Sequence, residues 1–515
     1  MSEDERGDER GGGGAHGGMG MRGVTRPMAE HESHQEHGGE GGQEGGMDRE
    51  AMLRRHHRQT LWIPWTLVLL GFWLLAAPFT FGYLDPAQWV EPSGGRGVWF
   101  GDALHTELRA ALTLWSDVVA GALLVVFGWR ALRPGRPVAW WICCFVGIWL
   151  TLAPIVLWAP TAVAYLNDTL VGALVIALSV LVPGMPNMIR YMRMGGDTPP
   201  GWSYNPSSWP QRWIMIATGF AGWLASRYLA AYQLGYAAEA WDPFFGEGTR
   251  RVLDSSMSHA WPVSDAALGT FAYTFEFLMG WMGAPSRWRT MPWMVTFFGI
   301  LVIPLGLVHV ALVVSQPVVV GAWCTFCLLA AAIMVPMIPL EVDEVIAMGQ
   351  NLAHARRRGE SVWRAFWKGG PAEEAGEDRR TPELAALPER PAEVVGASLW
   401  GMSFPWTLLA STALGVWLMF APAVFGLDAR AADLHHVGGA LVVVVSVVAM
   451  GEPLRALRLL DLFLGLGIAA APWLVEGLDG AARAATLGAG LLVAVLSVPR
   501  GPKWERYGGW DRFVF

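Results

Sequence analysis

Past residue 58 the chain is a succession of long apolar runs broken by short polar turns. The runs measure roughly 17 to 25 residues, and a helix needs about 20 to cross some 30 Å of hydrocarbon with its backbone polar groups satisfied internally. They predict about 12 membrane helices, near 62–84, 111–132, 138–159, 168–189, 212–236, 266–283, 291–315, 318–340, 404–426, 434–451, 457–475 and 483–498. The expected fold class is therefore all-α and polytopic. Residues 1–58 are rich in Gly, Glu, His and Met with almost no large aliphatic side chain. They cannot bury enough surface to offset ordering entropy, so a disordered tail is expected.

The turns orient the helices, because Lys and Arg accumulate on the cytoplasmic side. With the tail inside, the inner turns carry Arg54, Arg55 and Arg58; Arg130, Arg133 and Arg136; Arg190, Arg193 and Arg212; Arg287 and Arg289; Arg356 to Arg358; Arg455 and Arg458; and Arg500 with Lys503. Arg250 and Arg251, on an outer loop, are the main exception. An even helix count leaves both termini in the cytoplasm of a cell (inner or plasma) membrane protein and puts Cys324 near the outer face.

Composition agrees: 53% of residues are hydrophobic and 16% charged, with 29 Trp, the profile of a membrane protein. The net charge of −7 comes mostly from the tail and one hydrophilic linker. No basic groove interleaved with aromatics is present, which excludes a nucleic-acid role. Four cysteines are too few for a disulfide framework in so long a chain, so any bridge is expected to be chemical rather than structural. No apolar core adjoins the basic residues of the N-terminus, so the first membrane helix is expected to do the targeting in place of a cleavable signal.

A repeat runs through the flanks. "PWTLVLLGFWLLAAPFTFG" (64–82) and "PWTLLASTALGVWLMFAPAVFG" (405–426) share Pro-Trp, then Gly-x-Trp-Leu, then Ala-Pro; "AWWICCFVGIWLTLAPIV" (139–156) and "LDLFLGLGIAAAPWLVEG" (460–477) are weaker copies. Each is followed by a second helix containing Gly-Ala-Leu or a close relative, at Gly121, Gly172, Gly439 and Gly490. Over about 59–190 and 401–500 these resemble the SPW repeat, a two-helix membrane unit. Small residues such as Gly71, Gly147 and Gly415 allow helices to approach closely, while Trp and Pro seat helix ends near the interface. The expected organisation is a tail (1–58), a four-helix repeat block (59–198), a central four-helix module (199–345), a charged, Pro/Ala-rich cytoplasmic linker (346–402) and a second repeat block with a short tail (403–515).

The central module lacks the repeat signature. "GEGTRRVLDSSMSHAWPVSDAALGTFAYTFEFLMG" (246–280) is followed two helices later by "WCTFCLLAAA" (323–332). Val-Leu-x-Ser in an outer loop, Pro-x-Ser-Asp-x-x-Leu-Gly-x-x-x-Tyr opening the second helix and Cys-x-x-Cys early in the fourth together resemble the vitamin K epoxide reductase family, over about 205–345. The resemblance implies a four-helix bundle around a quinone of ubiquinone or menaquinone type, with Cys324 and Cys327 exchanging two electrons with it. It further implies that Cys324 undergoes thiol-disulfide exchange, that Cys327 lies nearer the quinone, that Asp265 takes the place of a polar group bonding the ring oxygen, and that Ser255 corresponds to a loop serine. With Tyr273 and Glu276, these are the expected cofactor-binding residues. The chain departs from the family at its outer loop, which lacks the second cysteine pair. Thr249 stands where a relay cysteine is expected, and Ala331 where some members carry Tyr. An external thioredoxin-like periplasmic or extracellular protein is then required as thiol partner.

The residues make part of this case unaided. Positions i and i+3 share a helix face, so Cys324 and Cys327 come within disulfide reach. Ser315 and Pro317 predict a helix start just before them, which puts the pair about two turns below the outer surface; a helix N-terminus favours the thiolate that attacks a disulfide or an electrophilic ring. The competing reading is two small residues packed in a helix, in a membrane scaffold whose reductase-like module is catalytically silent. A metal half-site is disfavoured because no second ligand cluster accompanies the pair. Adjacent Cys143 and Cys144 point about 100° apart and are read as core filler. His259 is read as a surface histidine or a proton donor near Asp265, and His309 as a packing residue. Glu276 is expected to face the bundle interior, since a charge facing lipid is costly. His16, His31, His34, His37, His56 and His57 with Met19, Met21 and Met28 suit soft metals, but their irregular spacing reads as a solvated tail. Transport would need intramembrane charge pairs or an inverted repeat with broken helices, and little beyond Glu276 points that way.

Overall fold

Each expected apolar run carries a long helix in the computed structural model, which describes residues 51, 54–102, 104–182, 191–192, 194–478 and 480–515. In chain order these are α1 (Trp62–Thr80), α2 (Thr106–Ala131), α3 (Pro137–Val156), α4 (Ala162–Ile176), α5 (Trp209–Gln233), α6 (Asp265–Trp281), α7 (Pro292–Ser315), α8 (Thr325–Arg357), α9 (Trp406–Phe425), α10 (Ala429–Ala449), α11 (Arg458–Ala470) and α12 (Gly480–Ser497). Among the described residues β-structure is limited to isolated bridges. Among the described residues, nine helices are long and apolar enough to cross a membrane, and the protein is a multi-pass membrane protein. The other three fall short for plain reasons. α6 has 17 residues and α11 has 13, while Gln211, Arg212, Arg227 and Gln233 dilute α5.

The flanking blocks are built from hairpins in which α1 packs on α2, α3 on α4, α9 on α10 and α11 on α12. Each hairpin crosses at a pair of glycines: Gly71 with Gly121, Gly147 with Gly172, Gly415 with Gly439, and Gly465 with Gly490. A Cβ added at any of the eight would come within 3.0 Å of the carbonyl oxygen of its partner glycine. Lipid tails are as apolar as leucine, so helices in a bilayer associate through such close backbone packing rather than through a hydrophobic drive.

Between the blocks, α5 packs on α6 and on α8, and α7 packs on α8. α7 ends in a π turn, Gln316–Val320, closed by Gly321 at φ 68°. That left-handed conformation suits glycine and reverses the chain into α8. Ser315 and Pro317 therefore end α7 instead of opening α8, because the chain needs the π turn and Gly321 to turn back before a new helix can start. α8 also runs on to Arg357, well into the stretch expected as linker. The remainder of 346–402 holds the short helices Val362–Lys368 and Pro391–Ser398. It forms bridges from Ala372 to Gly195 and from Gly376 to Thr198. Residues 54–59, expected within the disordered tail, are helical, and His57 Nε2 lies 3.0 Å from the Leu132 carbonyl oxygen. Residues 1–50, with the His and Met positions expected there, lie outside the described residues.

The ends of the bundle far from the cysteines are tied by buried charge. Arg212 donates to the carbonyls of Gly280, Gly283 and Met282 at 2.8, 2.8 and 3.0 Å, supplying donors to the C-terminus of α6. Arg287 forms a two-pronged pair with Glu344, each side chain only 2% exposed. Ser207 donates to the same carboxylate, and Tyr204 donates to Asp343.

Candidate functional site

α8 starts at the first cysteine. Cys324 is extended (φ −113°, ψ 117°) and its Sγ accepts the backbone N–H of Cys327 at 3.1 Å, so the sulfur occupies the place of a helix N-cap. The Cys324 N–H donates to Gln316 Oε1 at 3.0 Å, anchoring the turn to the end of α7. Cys324 and Cys327 are disulfide-bonded with Cα atoms 5.3 Å apart, inside the usual range for a bridge. The pair thus occupies the N-cap and first turn of α8, because the helix begins eight residues later than Pro317 predicted. Cys143 and Cys144 are free and buried.

The two sulfurs differ in access. Cys324 is completely buried, packed with Leu229, Tyr232, Ala240, Val252 and Leu253, whereas Cys327 is half-buried beside Phe326 and Tyr228. The cover over Cys324 is the short helix Gly248–Leu253, which approaches so closely that a Cβ on Gly248 would strike the Trp323 carbonyl oxygen.

Asp242 holds that cover in place. Its Oδ1 accepts the N–H groups of Phe244 and Phe245 at 3.0 and 2.8 Å and the Thr325 hydroxyl at 2.5 Å. Its Oδ2 accepts the Thr249 hydroxyl at 2.6 Å and the Thr325 N–H at 3.1 Å. One carboxylate therefore joins the loop, the covering helix and the residue between the two cysteines. Burial pushes its pKa up, but the donors from Thr249, Thr325 and the backbone outweigh burial and hold it below the ordinary carboxylate range. With a lowered pKa, the clamp is in force above the ordinary Asp value of 3.8 and is lost as pH falls below it. Asp242→Ala removes hydrogen bonds to a charged acceptor, each about 1.5–3 kcal/mol. Alkylation of reduced Cys324 by a small maleimide is expected to speed up about tenfold or more, which corresponds to ~1.4 kcal/mol of easier opening. An unchanged alkylation rate would show that the clamp does not govern access.

One turn beyond Cys327, the carbonyl of Ala330 accepts the Tyr273 hydroxyl at 3.3 Å, and that hydroxyl also lies 3.3 Å from His309 Nε2. His309 Nδ1 faces the Leu305 carbonyl at 2.9 Å. That carbonyl can only accept, so Nδ1 carries the proton and Nε2 is left as an acceptor toward Tyr273. Glu276, one turn along α6 from Tyr273, is fully buried with neither carboxyl oxygen hydrogen-bonded.

The expected site residues separate into two groups. Tyr273 reaches α8 one turn beyond the cysteine pair, and Glu276 follows it on α6. Asp265 and Ser255 lie in a polar network under the loop: Asp265 Oδ1 accepts Gln233 Nε2 at 2.7 Å, the Ser258 hydroxyl at 3.1 Å and the Ala266 N–H at 2.8 Å. Ser255 donates to the Val252 carbonyl at 2.7 Å. His259 joins this network to the first repeat block, with Nδ1 2.7 Å from the Ser255 carbonyl and its ring 4.2 Å from that of Trp99. Asp242 and Gln316 escaped the sequence reading, and His309 was read only as a packing residue. Asp242, His309 and Gln316 meet their partners only through tertiary contacts, and a polar side chain opposite Thr325 or Tyr273 leaves no periodic signal along the chain.

Residues 213–342 match the Vitamin K epoxide reductase family, and residues 394–499 match the SPW repeat domain. The first match contains α6, α7, the cysteine pair and the Asp242 clamp. The second holds the glycine crossings of α9 with α10 and of α11 with α12, which α1 to α4 share. No curated protein and no solved structure matches the chain.

Proposed function

We propose that the central module is a thiol-disulfide oxidoreductase that couples the Cys324/Cys327 pair to a lipid-soluble quinone at the outer face of a cell membrane. The observation that carries this reading is a closed Cys-x-x-Cys disulfide in the first turn of a membrane helix, inside the segment that matches the vitamin K epoxide reductase family. Arginine placement along the chain supports the outward orientation.

The surroundings suit a quinone. Cys327 is half-buried at the edge of a cluster that also carries Tyr228 and Phe326, and Tyr273 and His309 offer hydrogen-bonding groups one turn deeper. The bound quinone would supply a two-electron acceptor or donor; the chain's own residues do the rest. In the oxidising direction Cys324 and Cys327 each lose an S–H bond, the S–S bond forms, and an electron pair leaves for the quinone with two protons to be placed. The Cys327 N–H aimed at Cys324 Sγ and the N-terminus of α8 favour the thiolate there. In the closing half-reaction a partner thiolate attacks Cys324 Sγ and displaces Cys327 as thiolate; the partner's second thiolate then breaks the mixed disulfide, which leaves the partner oxidised and both cysteines reduced, and for the first attack the Gly248–Leu253 cover has to lift. Asp265 and Ser255, in the polar network with Gln233 and Ser258, then act as supports of the cover.

One observation favours a silent scaffold instead: Cys324 is sealed, and Thr249, not a thiol, adjoins the clamp. The two readings separate in a turnover assay. Purified protein in nanodiscs with a soluble dithiol and a short-chain quinone is expected to form quinol at a rate proportional to protein. Quinol formation no faster than the protein-free control would favour the scaffold.

A further inference from the structure

Below the Tyr273–His309 pair, a file of carboxyl groups continues away from the cysteines. Depths along the helices follow from the 1.5 Å rise per residue. Tyr273 lies about 12 Å and Glu276 about 16 Å along α6 from its Asp265 end, and Glu341 lies about 24 Å along α8 from its Thr325 end. Those two helix ends lie on the same face, joined by the loop that Asp242 ties to Thr325. Glu276 lies within electrostatic reach of both Tyr273 and Glu341. Glu341 in turn adjoins Glu344, Arg287 and Asp343. Beyond Asp343, Glu505 receives Arg380, whose side chain is 46% exposed. These groups thus span the depth from one turn below Cys327 to the surface at the opposite face, with Glu276 and Glu341 differing in depth by about 8 Å.

Three members of this file are unusual for a structural role. Among the described residues, Glu276 has no hydrogen-bond partner at either oxygen, and Glu341 Oε1 and Asp343 Oδ1 are also unpartnered, all in buried positions. Glu276 and Glu341 thus keep carboxyl oxygens free to accept and pass on a proton, where a lasting charge at Glu276 would lack donors. Glu344, by contrast, is neutralised by Arg287 and bonded by Ser207. A purely structural network would be satisfied throughout.

We infer that Glu341, Glu276 and the Tyr273–His309 pair conduct protons between the quinone site and the face opposite the cysteines. This rests on the quinone-coupled reading above. Per quinone reduced, two S–H bonds break, one S–S bond forms and two electrons reach the quinone, whose two oxygens gain two protons. The thiol protons leave at the cysteine face, whereas the quinol protons enter along the file from the other face. Turnover therefore separates charge across the membrane.

The experiment uses the full chain in sealed liposomes containing a lipid-soluble quinone, a pH-sensitive dye in the lumen and a membrane-impermeant dithiol outside. Only molecules with the cysteine face outward then turn over. The inference predicts that the lumen loses about two protons per quinol formed, with a matching membrane potential. Glu276→Gln and Glu341→Gln are expected to cut lumenal proton loss at least tenfold, and Glu276→Asp to restore part of it. Wild-type quinol formation without lumenal alkalinisation would overturn the inference and leave the quinone reading intact. Absence of quinol formation would overturn both. The wild-type measurement decides the matter even where a variant fails to fold.

Discussion

Cys327→Ser is expected to abolish quinol formation from added dithiol, a fall of about 10³-fold or more, the scale seen when a reacting nucleophile is removed from a site that works as a unit. Cys324→Ser should do the same. The two variants should nevertheless differ in what they trap. With Cys327 gone, a disulfide formed between Cys324 and an external thiol has no neighbour to resolve it, so Cys327→Ser should accumulate a mixed disulfide on Cys324. Combining it with Asp242→Ala should raise the yield, because the Gly248–Leu253 cover seals Cys324 in the closed pair. Mass spectrometry of the intact protein reads the adduct directly. Adducts on Cys324 that form no faster when Asp242 is removed would mean that exchange proceeds without opening the cover.

Arg287→Ala is expected to carry the largest stability cost. It leaves Glu344 buried and without its cation, and breaking one side of a buried ion pair costs about 3–5 kcal/mol. Arg287 also donates to the Met279 carbonyl at 3.0 Å, so the end of α6 loosens with it. The paired replacement Arg287→Met with Glu344→Leu should recover most of the loss, since well-packed apolar side chains substitute for a buried pair with little penalty. Thermal unfolding of detergent-purified protein, followed by intrinsic Trp fluorescence, tests both. A single variant as stable as wild type would show that the pair contributes nothing.

The helices were legible in the sequence because a membrane leaves a long, simple signal, and every expected run holds a helix. Glycine spacing likewise pointed to the crossings, since only residues without a side chain let two backbones meet; Gly465 was the one crossing residue not singled out. Helix boundaries were less legible. Ser315 followed by Pro317 reads as a helix start by local rules, but the chain uses Pro317 inside a π turn and lets Cys324 cap its own helix. No local rule announces a sulfur as a cap.

The site was legible where chemistry resides in neighbouring residues and obscure where it depends on distant ones. Cys324 and Cys327 stand three apart, so their bridge follows from helix geometry. Asp242 is 83 residues from Thr325, and His309 is 36 from Tyr273. Such contacts arise only once α5 to α8 have packed. Asp265 was legible as a motif residue, but its partners Gln233 and Ser258 were not, because they too meet it only in the folded loop.

The most direct test is the redox state of two sulfurs. Protein is fully reduced, freed of reductant, mixed with one equivalent of a short-chain quinone in nanodiscs, and quenched with an alkylating reagent before mass analysis. The account predicts that Cys324 and Cys327 pass from doubly alkylated to unalkylated and bridged as an equal amount of quinol appears, while Cys143 and Cys144 stay unchanged. Cysteines that remain doubly alkylated with the quinone intact would contradict it.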